Sequence, residues 1–248
     1  MRDVGVIDKA VAGLDYSMFS RADLRNIVLQ RSEILRDVSG SGKLIKAWEA
    51  GDPSSLDAVI ADKSLHLAER AVQSTRDEFN HLRPFIDPYA PRRIADIGCG
   101  YAFFDLFAQA AYDADLLLVD IERNERRHFG YDEEGAAYTS LDKAVAFLSA
   151  NGVLRERVTT WNPQSEDMPE TEKADMAVSL LSCGFHYPVD MYMPFFRFAV
   201  RKRGAVILDL RNGQFGRNRK TLSTLGRVDI IDIRNDRKRV ILRKGVGL

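Results

Sequence analysis

The residues best suited to chemistry lie between positions 94 and 120. Ile94-Ala95-Asp96-Ile97-Gly98-Cys99-Gly100-Tyr101-Ala102 joins a short apolar run to a segment of helical character, with two glycines at the junction. Glycine lets the backbone turn sharply and lets a ligand lie directly against it. The point where a strand opens into a helix is where an open α/β sheet binds ligands. A second apolar run, 116–119, ends at Asp120, twenty positions after Gly100. A carboxylate at that spacing suits the hydroxyls of a ribose. A third cluster, Ser182-Cys183-Gly184-Phe185-His186-Tyr187-Pro188, follows the apolar run 174–181. There His186 is the expected general base, because an imidazole of ordinary pKa, about 6.5, takes a proton near neutral pH.

Two residues separate the ligands such a glycine loop might serve. A dinucleotide fingerprint asks for a third glycine three positions after Gly100, and that position is Phe103. Its bulk opposes close helix–strand packing and the approach of a pyrophosphate. Asp96, two positions before the first glycine, repels a pyrophosphate but suits a ligand carrying an ammonium and a sulfonium. The loop therefore favours S-adenosylmethionine over a nicotinamide dinucleotide.

Asp96-Ile97-Gly98-Cys99-Gly100 followed by Leu117-Leu118-Val119-Asp120 resembles the first motif and the following acidic motif of class I S-adenosylmethionine-dependent methyltransferases. The resemblance spans about 92–248, and the family's last glycine of the first motif is replaced by Ala102. It implies that the backbone of Gly98, Cys99, Gly100 and Tyr101 flanks the methionine part of the cofactor. It implies too that Asp120 holds the ribose, that Ile121 lies against adenine, and that Asn162, after the third strand, contacts adenine. Ser182 joins these cofactor contacts where the fourth strand ends. In the same family that loop faces the transferring methyl, so Tyr187 is expected to position the acceptor. The stretch 184–189 also resembles a loop of bacterial sugar O-methyltransferases. Such proteins carry helical N-terminal extensions over the cofactor, and His81, Arg76 and Arg83 become residues able to reach the site from one. For the two arginines, surface ion pairing is the simpler expectation.

The elements that must position these groups follow from periodicity. Ser20 caps a helix expected over 21–38, with Asp23 at the capping-box position. Ser39-Gly40-Ser41-Gly42 stops it. Gly42-Lys43 lacks the preceding strand and earlier glycine of a phosphate loop. A short helix near 43–49 and a turn at 51–54 precede a long helix from about 64 to 82 or 85. The stripe Leu65, Ala68, Val72, Thr75, Phe79, Leu82 and Ile86 is its buried face, packed on the core or on a second copy in a homodimer. Pro84, Pro88 and Pro91 end the helical part. From residue 92, strands at 94–97, 116–119, 158–161, 174–181 and 205–210 alternate with helices at 102–112, 140–151 and 190–199. Strands at 227–233 and 237–242 close the chain. Alternation of this kind implies a Rossmann-like α/β fold: a seven-stranded, mostly parallel sheet with helices on both faces and an antiparallel strand at one edge. The expected division is a helical extension, 1–90, and a methyltransferase domain, 91–248.

Composition narrows the partners. Lys plus Arg and Asp plus Glu both number 36. That zero balance disfavours nucleic acid as a partner, and with it RNA methylation. It leaves a small-molecule acceptor, methylated on oxygen or nitrogen, or a non-catalytic binding module. The basic runs Arg217, Arg219, Lys220 and Arg234, Arg237, Lys238, Arg239, Arg243, Lys244 are read as solvated charge on edge strands. Cys99 and Cys183 sit in apolar segments as buried thiols of a reducing compartment. His66, His81, His128 and His186 share no metal-ligand spacing with them, so no structural zinc is expected and no metal ligand is assigned, with a magnesium site of scattered carboxylates left open. No apolar run reaches a membrane span and no signal segment is visible, which gives a cytoplasmic expectation. The charged stretch 122–135 is expected to be a solvated loop or a lid.

Overall fold

The computed structural model describes residues 11–122 and 139–246. The expectations for the stretch 122–135 beyond Glu122, and for His128, fall outside them.

Among the described residues, three α-helices precede the first strand: α1 (Arg21–Gln30), α2 (Ser41–Glu49) and α3 (Ser54–Ile86). The capping box forms as expected, with the Asp23 N–H donating to Ser20 Oγ at 3.2 Å and the Ser20 N–H to the Asp23 carboxylate at 2.8 Å. Helix α1 stops eight residues short of its expected end, and a 3-10 turn, Ser32–Leu35, takes over. α3 begins ten residues earlier than expected. Lys63, with φ −120° and ψ 25°, kinks it, so its two segments differ in phase. Leu65 lies just past that kink and is 57% exposed, unlike the other six residues of the stripe. Pro84 sits inside the last turn of α3 instead of ending it.

Seven strands follow among the described residues: β1 (Arg93–Ile97), β2 (Asp115–Val119), β3 (Val158–Trp161), β4 (Ala174–Ser179), β5 (Val200–Arg211), β6 (Gly226–Ile233) and β7 (Arg237–Lys244). They alternate with α4 (Phe103–Tyr112), α5 (Leu141–Ala150), α6 (Val189–Phe198) and α7 (Phe215–Ser223). The sheet order is β3-β2-β1-β4-β5-β7-β6, with β1 to β5 parallel and β7 antiparallel to both neighbours. The antiparallel strand is thus inserted between β5 and β6, and β6 is the edge. α7 was not expected, since its sequence offers little apolar periodicity beyond Leu222.

The runs at 94–97 and 116–119 are continuously apolar apart from Asp96 because both faces of the sheet are covered. One hydrophobic cluster joins α1, α3, α4 and α5 to one face, and a second joins α6 and Leu222 of α7 to the other. The long helix is part of the first cluster. Phe79 of α3 packs against Phe104, Phe107 and Tyr112 of α4, with centroids 5.5–6.2 Å apart. No described helix is long and apolar enough to cross a membrane.

Inside the sheet, the basic run 234–244 departs from a solvated strand. Arg239 is 1% exposed and stands opposite Asp209 in the β5–β7 register. Its Nε and Nη2 donate to the two Asp209 oxygens at 2.7 Å each, and Nη2 also donates to Glu78 of α3 at 2.7 Å. An interior strand has no solvent for that charge, and the carboxylates supply the counter-charge instead.

Candidate active site

β1 has β2 on one side and β4 on the other, so the chain reverses its direction of travel across the sheet between β1 and β4. Such a reversal opens a crevice beyond the carboxyl ends of the strands. A cavity of about 1080 Å³, its open mouth included, lies there.

The turn after β1 forms its floor. Gly98 and Gly100 take φ +77° and +59°, conformations that favour glycine, and Ala102 takes φ +59°. Position 102 therefore has left-handed geometry that a glycine would adopt without steric cost. The N–H groups of Gly98 and Cys99 donate to Val119 O at 2.7 and 3.2 Å, tying the turn to β2. A Cβ on Gly98 would lie 2.3 Å from Ser182 Cβ and Oγ, so the turn and the loop after β4 are in close contact.

Asp120 forms the wall beside that turn. Its carboxylate accepts the Gly100 N–H at 2.9 Å and the Glu122 N–H at 3.0 Å. An ionised carboxylate offers about four acceptor positions, so hydroxyls can still be received. Burial raises the Asp120 pKa, and these two backbone N–H bonds oppose that rise. Asp96 and Asp105 are both buried and close enough for each carboxyl to act on the other. Burial, reinforced by Asp105, pushes Asp96 well above the ordinary carboxylate range. Burial likewise raises Asp105 to about 7. The pair thus holds a proton near neutral pH until a cation arrives beside it.

The loop after β4 supplies the third wall. Leu181 has φ +62°, strained for a non-glycine residue, and its N–H donates to Asp209 at 3.2 Å. Ser179 Oγ donates to Ile97 O at 2.6 Å and accepts the Cys183 N–H at 2.8 Å. The N–H groups of His186 and Tyr187 both donate to Ser182 O, at 2.9 and 3.1 Å, which turns their side chains to the cavity. Phe185 packs edge-on to the His186 ring at 4.8 Å between centroids, with the Arg211 guanidinium 4.5 Å above the Phe185 ring. Cys183 is fully buried, and burial raises its thiol pKa far above the ordinary range, as it does for Cys99. Neither thiol is set up as a nucleophile.

Ten of the twelve residues singled out from sequence line the cavity: Asp96, Gly98, Cys99, Gly100, Tyr101, Asp120, Ile121, Ser182, His186 and Tyr187. Asn162 does not; its Nδ2 donates to Glu122 Oε2 at 3.0 Å, one step behind Asp120. His81 does not either; it is exposed, with Nε2 3.9 Å from an Asp232 carboxylate oxygen on β6. Thr75 of α3 does line the cavity, and a residue six positions later points about 240° around the helix. Arg83 forms an ion pair with Asp87 at 3.7 Å. The Tyr101 side chain reaches α1: its hydroxyl donates to Asp23 at 3.1 Å and accepts from Asn26 at 3.3 Å.

Sequence reasoning missed the wall built by the N-terminal segment. Ile27, Gln30 and Arg31 border the cavity, as do Thr139, Leu181 and Tyr192. No local signal marks them, because tertiary packing alone brings α1 over the glycine turn.

No protein-family model matches the chain, and no curated protein does. Among solved structures, the chain is similar to a protein of Nostoc punctiforme named as an O-methyltransferase. The TM-score is 0.51 at 12% identity, over 70% of this chain and 59% of that one. It is also similar to the S-adenosylmethionine-dependent methyltransferase SibL, with a TM-score of 0.50 at 13% identity, over 90% of this chain and 74% of that one. The chain spans less than two thirds of the Nostoc protein and of an O-methyltransferase family protein from Burkholderia thailandensis, 61% of which is covered. The fold is that of the class I methyltransferases: a Rossmann-like, seven-stranded sheet with an N-terminal helical region.

Proposed function

We propose that this chain is an S-adenosylmethionine-dependent methyltransferase acting on an oxygen of a small polar molecule such as a sugar. The observation that carries this reading is the cavity at the β1/β4 reversal, where the Asp120 carboxylate and the Gly98–Gly100 turn form adjoining walls. The donor set suits the cofactor. Asp120 offers acceptors for ribose hydroxyls, Ile121 an apolar surface for adenine, and Asp96 a carboxyl that a neighbouring ammonium would ionise. Cys99, Tyr101 and Ser182 border the space left for the methionine part.

When bound, S-adenosylmethionine supplies a methyl group on a sulfonium, open to attack by a nucleophile. The protein's contribution is alignment, water exclusion and proton removal. His186 takes the proton from the acceptor hydroxyl at an imidazole nitrogen, and Tyr187 orients that acceptor. Helices α1 and α3 of the N-terminal region cover the site, with Ile27 and Gln30 as part of the roof. The acceptor is inferred to be small because walls from α1, α3 and the loop after β4 bound the cavity.

Methyl transfer from labelled S-adenosylmethionine to a panel of sugars and other polyols tests this. The His186→Ala variant should lose at least 100-fold in turnover while S-adenosylhomocysteine affinity stays within about twofold. Full activity in that variant would remove His186 as the base.

A further inference from the structure

We infer that Arg31, at the end of α1, is the receptor for the carboxylate of the cofactor's amino-acid end, so that the N-terminal segment forms part of the cofactor site as well as its cover. This inference rests on the methyltransferase reading.

Arg31 is the one Lys or Arg among the described residues lining the cavity. The other ionisable walls there include the carboxyls of Asp96 and Asp120. A zwitterionic amino-acid group entering this field has one favourable orientation. Its ammonium turns to Asp96 and its carboxylate to the Arg31 guanidinium. The reverse orientation sets a carboxylate against buried acids.

The guanidinium is positioned but not saturated. Its Nη2 lies 3.8 Å from Glu78 Oε2 and its Nη1 3.6 Å from Glu33 Oε1, both longer than hydrogen bonds. A guanidinium has five N–H donors in a planar fork that matches a carboxylate in bidentate fashion. Glu78 is itself fixed, because its other oxygen accepts from Arg239, which is anchored on Asp209. The Arg31 backbone N–H donates to Ile27 O at 2.9 Å, which holds the residue at the end of α1. Arg31 is therefore held from a fixed backbone, beside a fixed carboxylate, in the lining of a cavity that also holds Asp96 and Asp120.

The test compares S-adenosylmethionine with its decarboxylated analogue, which keeps the ammonium and the sulfonium and lacks only the carboxylate. Calorimetric titration of the full chain should show wild-type protein favouring S-adenosylmethionine by at least tenfold. Arg31→Gln should lose that preference by weakening S-adenosylmethionine alone, leaving the analogue within twofold of wild type. Arg31→Lys should recover part of it. Equal affinity of wild-type protein for the two ligands would overturn the inference, whatever the fate of the variant. So would a variant that weakens both ligands equally, or neither. Failure of the wild-type chain to bind either ligand would defeat the methyltransferase reading itself, a separate result from binding both alike.

Discussion

The Asp120 carboxylate accepts the Gly100 N–H at 2.9 Å across twenty residues of chain. This bond couples the end of β2 to the turn after β1, so the two groups expected to hold one ligand also hold each other. Removing the carboxylate acts on both. Asp120→Ala should weaken S-adenosylhomocysteine binding by 10-fold or more, and Asp120→Asn, which keeps one acceptor oxygen, by less. Calorimetric titration measures both, and unchanged affinity in Asp120→Ala would refute the ribose role.

Gly98 is required by a neighbour as well as by its own backbone. The φ of +77° and the 2.3 Å approach to Ser182 make any side chain there displace the loop that carries His186 and Tyr187. Gly98→Ala should therefore cut cofactor affinity and turnover together, by at least tenfold. Adding Ser182→Gly removes the clash but not the strained φ, so the double variant should recover only part. A Gly98→Ala protein of wild-type affinity would contradict the contact.

The Asp96–Asp105 pair gives a pH dependence with a definite sign. Burial raises Asp105 to about 7, far above the ordinary value of 3.8. A carboxyl raised on folding contributes stability below its unfolded pKa and loses it as pH climbs through the folded value. Asp105→Asn does not titrate, so its melting temperature relative to wild type should rise between pH 5 and pH 8, by about 3 °C or more. Cofactor affinity should rise over the same range in wild type, because a cationic ligand favours the ionised pair. A difference that is flat with pH would show that the pair does not titrate there.

Arg239 holds Asp209, which in turn accepts the Leu181 N–H of the loop after β4. Arg239→Met leaves Asp209 and Glu78 short of their principal cation. Such a loss costs about 3–5 kcal/mol, equivalent to a drop of roughly 10 °C in melting temperature for a chain of this size. Adding Asp209→Leu removes the buried charge and should return part of the stability. A melting temperature within 2 °C of wild type for Arg239→Met would contradict this.

What could be read from sequence follows from how local each cause is. The glycine turn, Asp120 and the capping box of Ser20 and Asp23 are set by backbone geometry within a few residues of a strand or helix end, and all three were legible. The ten-residue extension of α3 was hidden by the Lys63 kink, which breaks the 3.6-residue phase. α7 has too few apolar residues to show a period. Arg239 was read as solvated because a basic run outweighs a single site. The clue was Asp209, a carboxylate inside the apolar run 205–210 that needs a buried cation. Ile27, Gln30 and Arg31 carry no signal at all, since their role depends on where α1 packs. His81 was misplaced for the related reason that its face of α3 was not fixed by the stripe.

The central claim is that the crevice between β1 and β4 takes S-adenosylmethionine and not a dinucleotide. Calorimetric titration of the wild-type chain with S-adenosylhomocysteine and, separately, with NAD tests it most directly. The expected result is saturable one-to-one binding of S-adenosylhomocysteine, weakened by Asp120→Ala, and no binding of NAD. The absence of S-adenosylhomocysteine binding, or NAD binding of equal strength, would contradict it.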